Sequence, residues 1–166
     1  MTSTPIPTPK LQHIATLRAY ISPHVIRWGS GSPGHVRTST PITGGFLKFT
    51  TEEIEAEIVP PSWPVTESSD GHAHLNVRCR AKTDAGEISI QYAGVLDIDE
   101  ATTRAAQHAP DAKSTSFGET RWFTTISFQT SDQRLKWLQN SVFVGQGRVH
   151  LDDEGNAAEY LIYKLS

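Results

Sequence analysis

Two stretches of this chain alternate strictly between apolar and polar residues, and that alternation limits the fold more than any other feature. In Glu53–Val59, Ile54, Ala56 and Ile58 alternate with Glu53, Glu55 and Glu57. An extended segment with this pattern carries one apolar and one acidic face. In His74–Lys82, Leu75, Val77, Cys79 and Ala81 alternate with Asn76, Arg78, Arg80 and Lys82. Thr83-Asp84-Ala85-Gly86 then supplies turn chemistry and Glu87–Leu96 returns, which predicts a β-hairpin. Further strands are expected over His13–Ile21, Val25–Trp28, Phe46–Phe49, Phe117–Gln129, Val142–Leu151 and Ala158–Leu165. Two segments read as helices. Ile98–His108 has Asp99 as a cap, and Ser131–Asn140 starts with a capping Ser and spaces Leu135 and Leu138 helically. The sum is an all-β fold: an antiparallel β-barrel of about 8–10 strands with one or two short helices. Closure is favoured because the strongly apolar last strand would otherwise be an exposed edge.

Composition narrows the function classes. The chain has 166 residues, enough for one domain, and the expected division is a flexible tail over 1–10 and a single barrel over 11–166. The 37% of hydrophobic residues suits strands with one solvated face. A net charge of −3 lacks the basic surplus of a nucleic-acid binder or a membrane docker, so neither partner is expected. Cys79 is the one cysteine, which excludes an intramolecular disulfide, suits a cytoplasmic protein, and reads as a buried inert thiol rather than a nucleophile.

Four groups of short motifs occur in order along the chain. Gly31-Ser32-Pro33-Gly34-His35-Val36-Arg37 comes first, then Ile42-Thr43-Gly44-Gly45-Phe46. Asp70-Gly71 follows, with Leu75-Asn76-Val77-Arg78, Thr83-Asp84-Ala85-Gly86 and Tyr92-Ala93-Gly94. The last group is Phe128-Gln129-Thr130, Trp137-Leu138-Gln139-Asn140 and Val144-Gly145-Gln146-Gly147. Together they resemble the domain of unknown function 3237 family, also called uncharacterised protein family 0311, from about Leu11 to the C-terminus. That family consists of small bacterial and fungal β-barrel proteins with no established general activity. The resemblance implies the barrel more firmly than a reaction. It also implies departures: Ser62-Trp63 stands where the family often has Asp-Trp, Asn76 in place of Asp, Cys79 in place of Tyr, Arg121–Ile126 in place of a Tyr-Phe-Arg-Thr-x-Pro segment, and Gln129 in place of Glu. The substitutions at Ser62, Asn76 and Gln129 neutralise three carboxylates that the family's pocket would hold, which implies an apolar ligand, aromatic in one form.

The candidate site residues follow from chemistry. Arg37 follows a glycine-rich loop, where its guanidinium either holds a ligand oxyanion or pairs with a carboxylate such as Asp84. That loop lacks the Lys-Ser/Thr ending of a phosphate cradle. Tyr92 shares a face with Ile88 and Ile90, so its hydroxyl needs a partner in apolar surroundings. On one strand Trp122, Thr124, Ile126 and Phe128 share a face and Phe123, Thr125 and Ser127 the other; which face lies inside is open. Trp63, Asn76, Arg78, Trp122, Thr124, Phe128, Trp137 and Asn140 are the expected substrate-binding residues, with left-handed capping as the alternative role for Asn140. Arg37 and Tyr92 are the expected catalytic donors. His72 and His74 share a strand face but lack a third ligand, so no metal and no cofactor is expected. No nucleophile elbow or activated nucleophile is visible.

Three functions fit. The first is a cofactor-independent cyclase or isomerase, pericyclic in one form, acting in secondary metabolism on a polyketide- or terpenoid-like molecule. The second is a carrier barrel that binds an apolar small molecule without changing it. The third is an oligomeric structural module, with a homodimer formed through the outward aromatics.

Overall fold

The computed structural model describes residues 4–29 and 32–166. The strands are β1 (Leu11–Ile21), β2 (Ile26–Trp28), β3 (Val36–Ser39), β4 (Ile42–Phe49), β5 (Glu55–Ser69), β6 (His72–Thr83), β7 (Gly86–Asp97), β8 (Trp122–Thr130), β9 (Phe143–Asp152) and β10 (Gly155–Leu165). Helix α1 spans Glu100–Ala106 and a 3-10 helix spans Gln133–Asn140. Eight strands run β5-β4-β1-β10-β9-β8-β7-β6, and β6 pairs again with β5, so the sheet closes into an antiparallel barrel. The β2–β3 hairpin lies outside this ring and hangs from it by β3 alone, through Val36–Thr38 against Thr66–Ser68. Residues 4–9 are exposed and carry no secondary structure, while Lys10 pairs with Ser166 through both backbone bonds. Positions 1–3 of the expected tail, and Ser30 and Gly31 of the glycine-rich loop, lie outside the described residues.

Alternation places side chains as expected where a strand has one wet face. On β6, Val77, Cys79 and Ala81 are buried while Asn76, Arg78 and Lys82 are exposed. The β6–β7 turn closes with Thr83 opposite Gly86. At the β5–β6 corner Asp70 and Gly71 both take positive φ, 51° and 77°, a two-residue geometry that Asp-Gly adopts readily.

Several boundaries differ from the sequence reading, each for a local reason. β5 does not stop at Val59 but runs through Pro60-Pro61. The prolines sit where the β5–β6 register shifts between Val59 and Trp63, so no ladder bond is lost to them. The expected strand over Phe117–Gln129 begins only at Trp122. Gly118 at φ 92° turns the preceding chain, and Phe117 instead covers the Arg148 guanidinium, 4.6 Å from its ring centre. β3 forms over Val36–Ser39, where the sequence pattern predicts no element. The second helix is capped by Asp132, whose side chain accepts from Arg134 N at 3.1 Å, whereas Ser131 Oγ accepts from Glu87 N of the neighbouring strand. Asp99 caps α1 as expected, in a reciprocal pair with Thr102.

The two ends of the barrel differ. At one end the 3-10 helix inserts Leu135 and Leu138 under Phe128 and Phe143, whose rings meet edge-on at 5.2 Å. Above them Leu17, Leu47, Cys79, Ile88, Ile90 and Ile162 fill the interior. At the other end the inner positions are small (Ala19, Ser68, Ala73, Gly147, Ala157), and the interior there is hollow.

Candidate functional site

The hollow end is a cavity of about 610 Å³, within the range of small-molecule sites. Its wall is a cross-strand row of inward residues, Val36–Ser68–Ala73–Leu96–Trp122, that spans β3, β5, β6, β7 and β8. Helix α1 covers one side of the mouth with Thr102, Thr103, Ala106 and Gln107, and is tied to β10 where Asn156 Nδ2 donates to Ala105 O at 2.9 Å. The β2–β3 hairpin covers the other side with Val25, Arg27, Val36 and Thr38.

Three aromatic groups form the floor. Tyr92 (3% exposed), Tyr160 and Trp122 (6% exposed) meet there, with Tyr160 5.2 Å from Tyr92 and edge-on to Trp122 at 5.4 Å. The indole lies across Gly147: a Cβ at that position would come within 2.5 Å of the Trp122 ring. Only glycine leaves room for it. Trp122 Nε1 is buried without a hydrogen-bond partner, and so is Thr124 Oγ1, one inward position further along β8. Burial pushes the Tyr92 and Tyr160 phenols above their ordinary range. They therefore stay protonated through neutral pH, and act as donors rather than bases. Burial also pushes the Cys79 thiol up to about 12, so it is no nucleophile. The lining contains no Asp, Glu, His or Lys side chain among the described residues. The site can therefore enclose an apolar molecule and donate hydrogen bonds to an oxygen on it, without proton transfer by a carboxylate or imidazole.

The structure divides the sequence-predicted residues. Tyr92 and Trp122 share the cavity floor. Thr124 and Phe128 point inward on the same strand, but Phe128 belongs to the filled end. Arg37, Trp63, Asn76 and Arg78 come together elsewhere, in an open groove of about 930 Å³ on the outside of β5 and β6. Arg37 and Trp63 therefore do not meet Tyr92 and Trp122 in one cavity, and strand parity is the cause. Asn76 and Arg78 alternate with the inward Val77, and Trp63 pairs with Arg78 on the outer face. The outer groove is the larger space, but it is the weaker candidate: Trp63 is 59% exposed, Arg37 is taken by Glu67 and Arg80 by Glu87. Arg37 does not reach Asp84, which pairs with Arg134. Trp137 is partly buried beside Phe143 with Lys164 over its ring, and Asn140 is exposed as the last residue of that helix, with Ser141, in extended backbone, as its cap.

Of the positions read as neutralised, Asn76 and Gln129 face outward, and Ser62 Oγ accepts from Ile42 N. The cavity is free of carboxylates on account of other residues. The sequence reading missed Tyr160, Arg27, Thr38 and Thr66. Their signal was the run of small or hydroxylated residues at inward positions of one barrel end, which marks space rather than filling.

The family model described as a protein of unknown function, DUF3237, matches residues 9–165. The chain belongs to this family. No curated protein matches it. Among solved structures, the family member resembles a conserved protein of unknown function from Rhodopseudomonas palustris, at 19% identity and TM-score 0.80 over 97% of this chain and 100% of that one. It also resembles a β-barrel-like protein from Acinetobacter baumannii, at 23% identity and TM-score 0.71 over 99% and 100%. An enzyme from Penicillium herquei matches at 15% identity and TM-score 0.62, with both chains covered in full. At these identities the likeness is one of fold. Among the described residues no helix is long and apolar enough to cross a membrane.

Proposed function

We propose that this DUF3237 barrel is a cofactor-independent cyclase or isomerase of secondary metabolism that folds a polyketide- or terpenoid-like molecule inside its cavity. The observation that carries the reading is the floor: the neutral aromatic groups Tyr92, Tyr160 and Trp122 meet at the base of a cavity whose described lining holds no carboxylate, imidazole or ammonium group. Confinement of a flexible precursor in one reactive conformer supplies up to ~7–11 kcal/mol of barrier reduction. Donors fixed against a carbonyl oxygen stabilise charge that develops on it, and do so more strongly in a dry site than in water. Neither effect needs a carboxylate, a metal or a nucleophile, and a pericyclic step would use both. The same barrel in the Penicillium herquei enzyme supports catalysis as a use of this fold.

The test is a linear poly-β-ketone that cyclises slowly unaided, incubated with purified protein. Faster conversion to one product is expected. Tryptophan quenching with conversion at the unaided rate would replace the enzyme with a carrier, and no quenching at all would overturn the cavity as a binding site.

A further inference from the structure

Of the nine arginines in the chain, seven pair with carboxylates. Among the described residues Arg78, on the outer face, has no such partner, and neither does Arg27, which lines the cavity. Arg27 is the cavity's one charged side chain among the described residues. It occupies the inward position of β2, while Trp28 beside it lines the outer groove. Across the strands it continues into Thr38 and then Thr66, both of which line the same mouth. No side-chain hydrogen bond among the described residues engages Arg27, Thr38 or Thr66, although the chain pairs most of its other guanidinium groups.

We infer that the cavity takes an amphipathic monoanion whose carboxylate sits at the mouth on Arg27, flanked by the Thr38 and Thr66 hydroxyls, with its apolar body inside the barrel. The guanidinium fork matches the two oxygens of a carboxylate. No acidic side chain in the lining opposes an anion there. Anchoring one end at the mouth also aims the far end at Tyr92, Tyr160 and Trp122, so that a ligand oxygen placed there meets the floor donors. The inference rests on the cavity being the substrate site and names the class of substrate it selects.

Anthraquinone-2-carboxylic acid and its methyl ester make the test: they share one rigid ring system and quinone carbonyls and differ in one charge. Binding is read by tryptophan quenching at neutral pH and low salt. In the wild-type protein the acid is expected to bind about tenfold more tightly than the ester, as for a hydrogen bond to a charged group. Arg27→Gln should weaken the acid by about the same factor and leave the ester unchanged, and Arg27→Lys should restore part of the loss. The ester is the control for folding, because a collapsed barrel would lose both ligands. Equal affinities for acid and ester in the wild type, or an equal loss of both in Arg27→Gln, would overturn the inference while leaving the cavity as a site. Failure of both compounds to bind the wild type would overturn the cavity reading as well.

Discussion

Replacing Tyr92 or Tyr160 by Phe should lower turnover about 10²-fold while leaving the melting temperature essentially unchanged. Each substitution deletes one hydroxyl at the cavity floor and keeps the ring packing, including the 5.2 Å contact between the two rings. Loss of a donor aimed at developing charge typically costs ~10²–10³-fold in turnover. Each phenol loses at most its contact with a neighbouring floor group while the ring packing stays, so stability changes little. Because burial holds both phenols protonated, the wild-type rate should also show no step through the neutral range that belongs to either of them. Steady-state kinetics beside thermal melts separate the roles. Unchanged turnover in both variants would make the tyrosines core filler. A rise in KM at constant kcat would assign the hydroxyls to uniform binding rather than to the transition state.

The second large effect lies at the opposite end. The Asp132 side chain is 0% exposed. It accepts from Thr83 Oγ1 at 2.7 Å, from Arg134 Nε at 2.9 Å and Nη2 at 2.6 Å, and from Arg134 N at 3.1 Å. Arg134, foremost, with Thr83 and the backbone N–H, holds its carboxyl well below the usual carboxylate range. Asp132→Ala leaves Thr83 Oγ1 with only its Gly86 O and Ala85 N contacts, takes the buried carboxylate away from Arg134, and removes the cap of the 3-10 helix that plugs the barrel. The expected loss is ~3 kcal/mol, at the low end for a broken buried pair because Arg134 is 43% exposed. For a chain of this size that lowers the melting temperature by roughly 6–12 °C. The pH dependence has a definite sign. A carboxyl whose pKa is lower in the folded state stabilises the fold above the ordinary value of about 3.9 and loses that stabilisation as pH falls below it. Wild-type stability should therefore drop on acidification below about pH 4, and Asp132→Asn should flatten that part of the profile. An unchanged melting temperature in Asp132→Ala would remove the plug from this account of stability.

How much of this was legible in the sequence depends on what each residue had to signal. Period-two alternation with Asp-Gly and Asp-Ala-Gly turns was enough for most of the strands, because parity decides which side chains are buried, and closure followed from the apolar last strand, which would otherwise be an exposed edge. It failed at β5, where Pro-Pro reads as a break although a register shift accommodates it, and at Phe117, which turns out to serve an arginine rather than a strand. Tyr92 and Trp122 were recoverable because each polar atom rode on an apolar face. Arg37, Trp63, Asn76 and Arg78 were expected in one site with Tyr92 and Trp122, whereas they line a groove on the outside of the wall. Chemistry alone cannot say which face of a strand lies inside; only the apolar phase can, and on β6 it belongs to Val77 and Cys79. Tyr160 and Arg27 carry no local motif. Their roles come from which strands closure brings together, and from the small residues around them that leave the space empty.

The most direct measurement is a crystal structure of the protein with anthraquinone-2-carboxylate. The account predicts the ring system inside the barrel, its carboxylate on Arg27 and a quinone oxygen within hydrogen-bond reach of a floor phenol. The ligand in the outer groove against Trp63 and Arg78, with none inside the barrel, would contradict it.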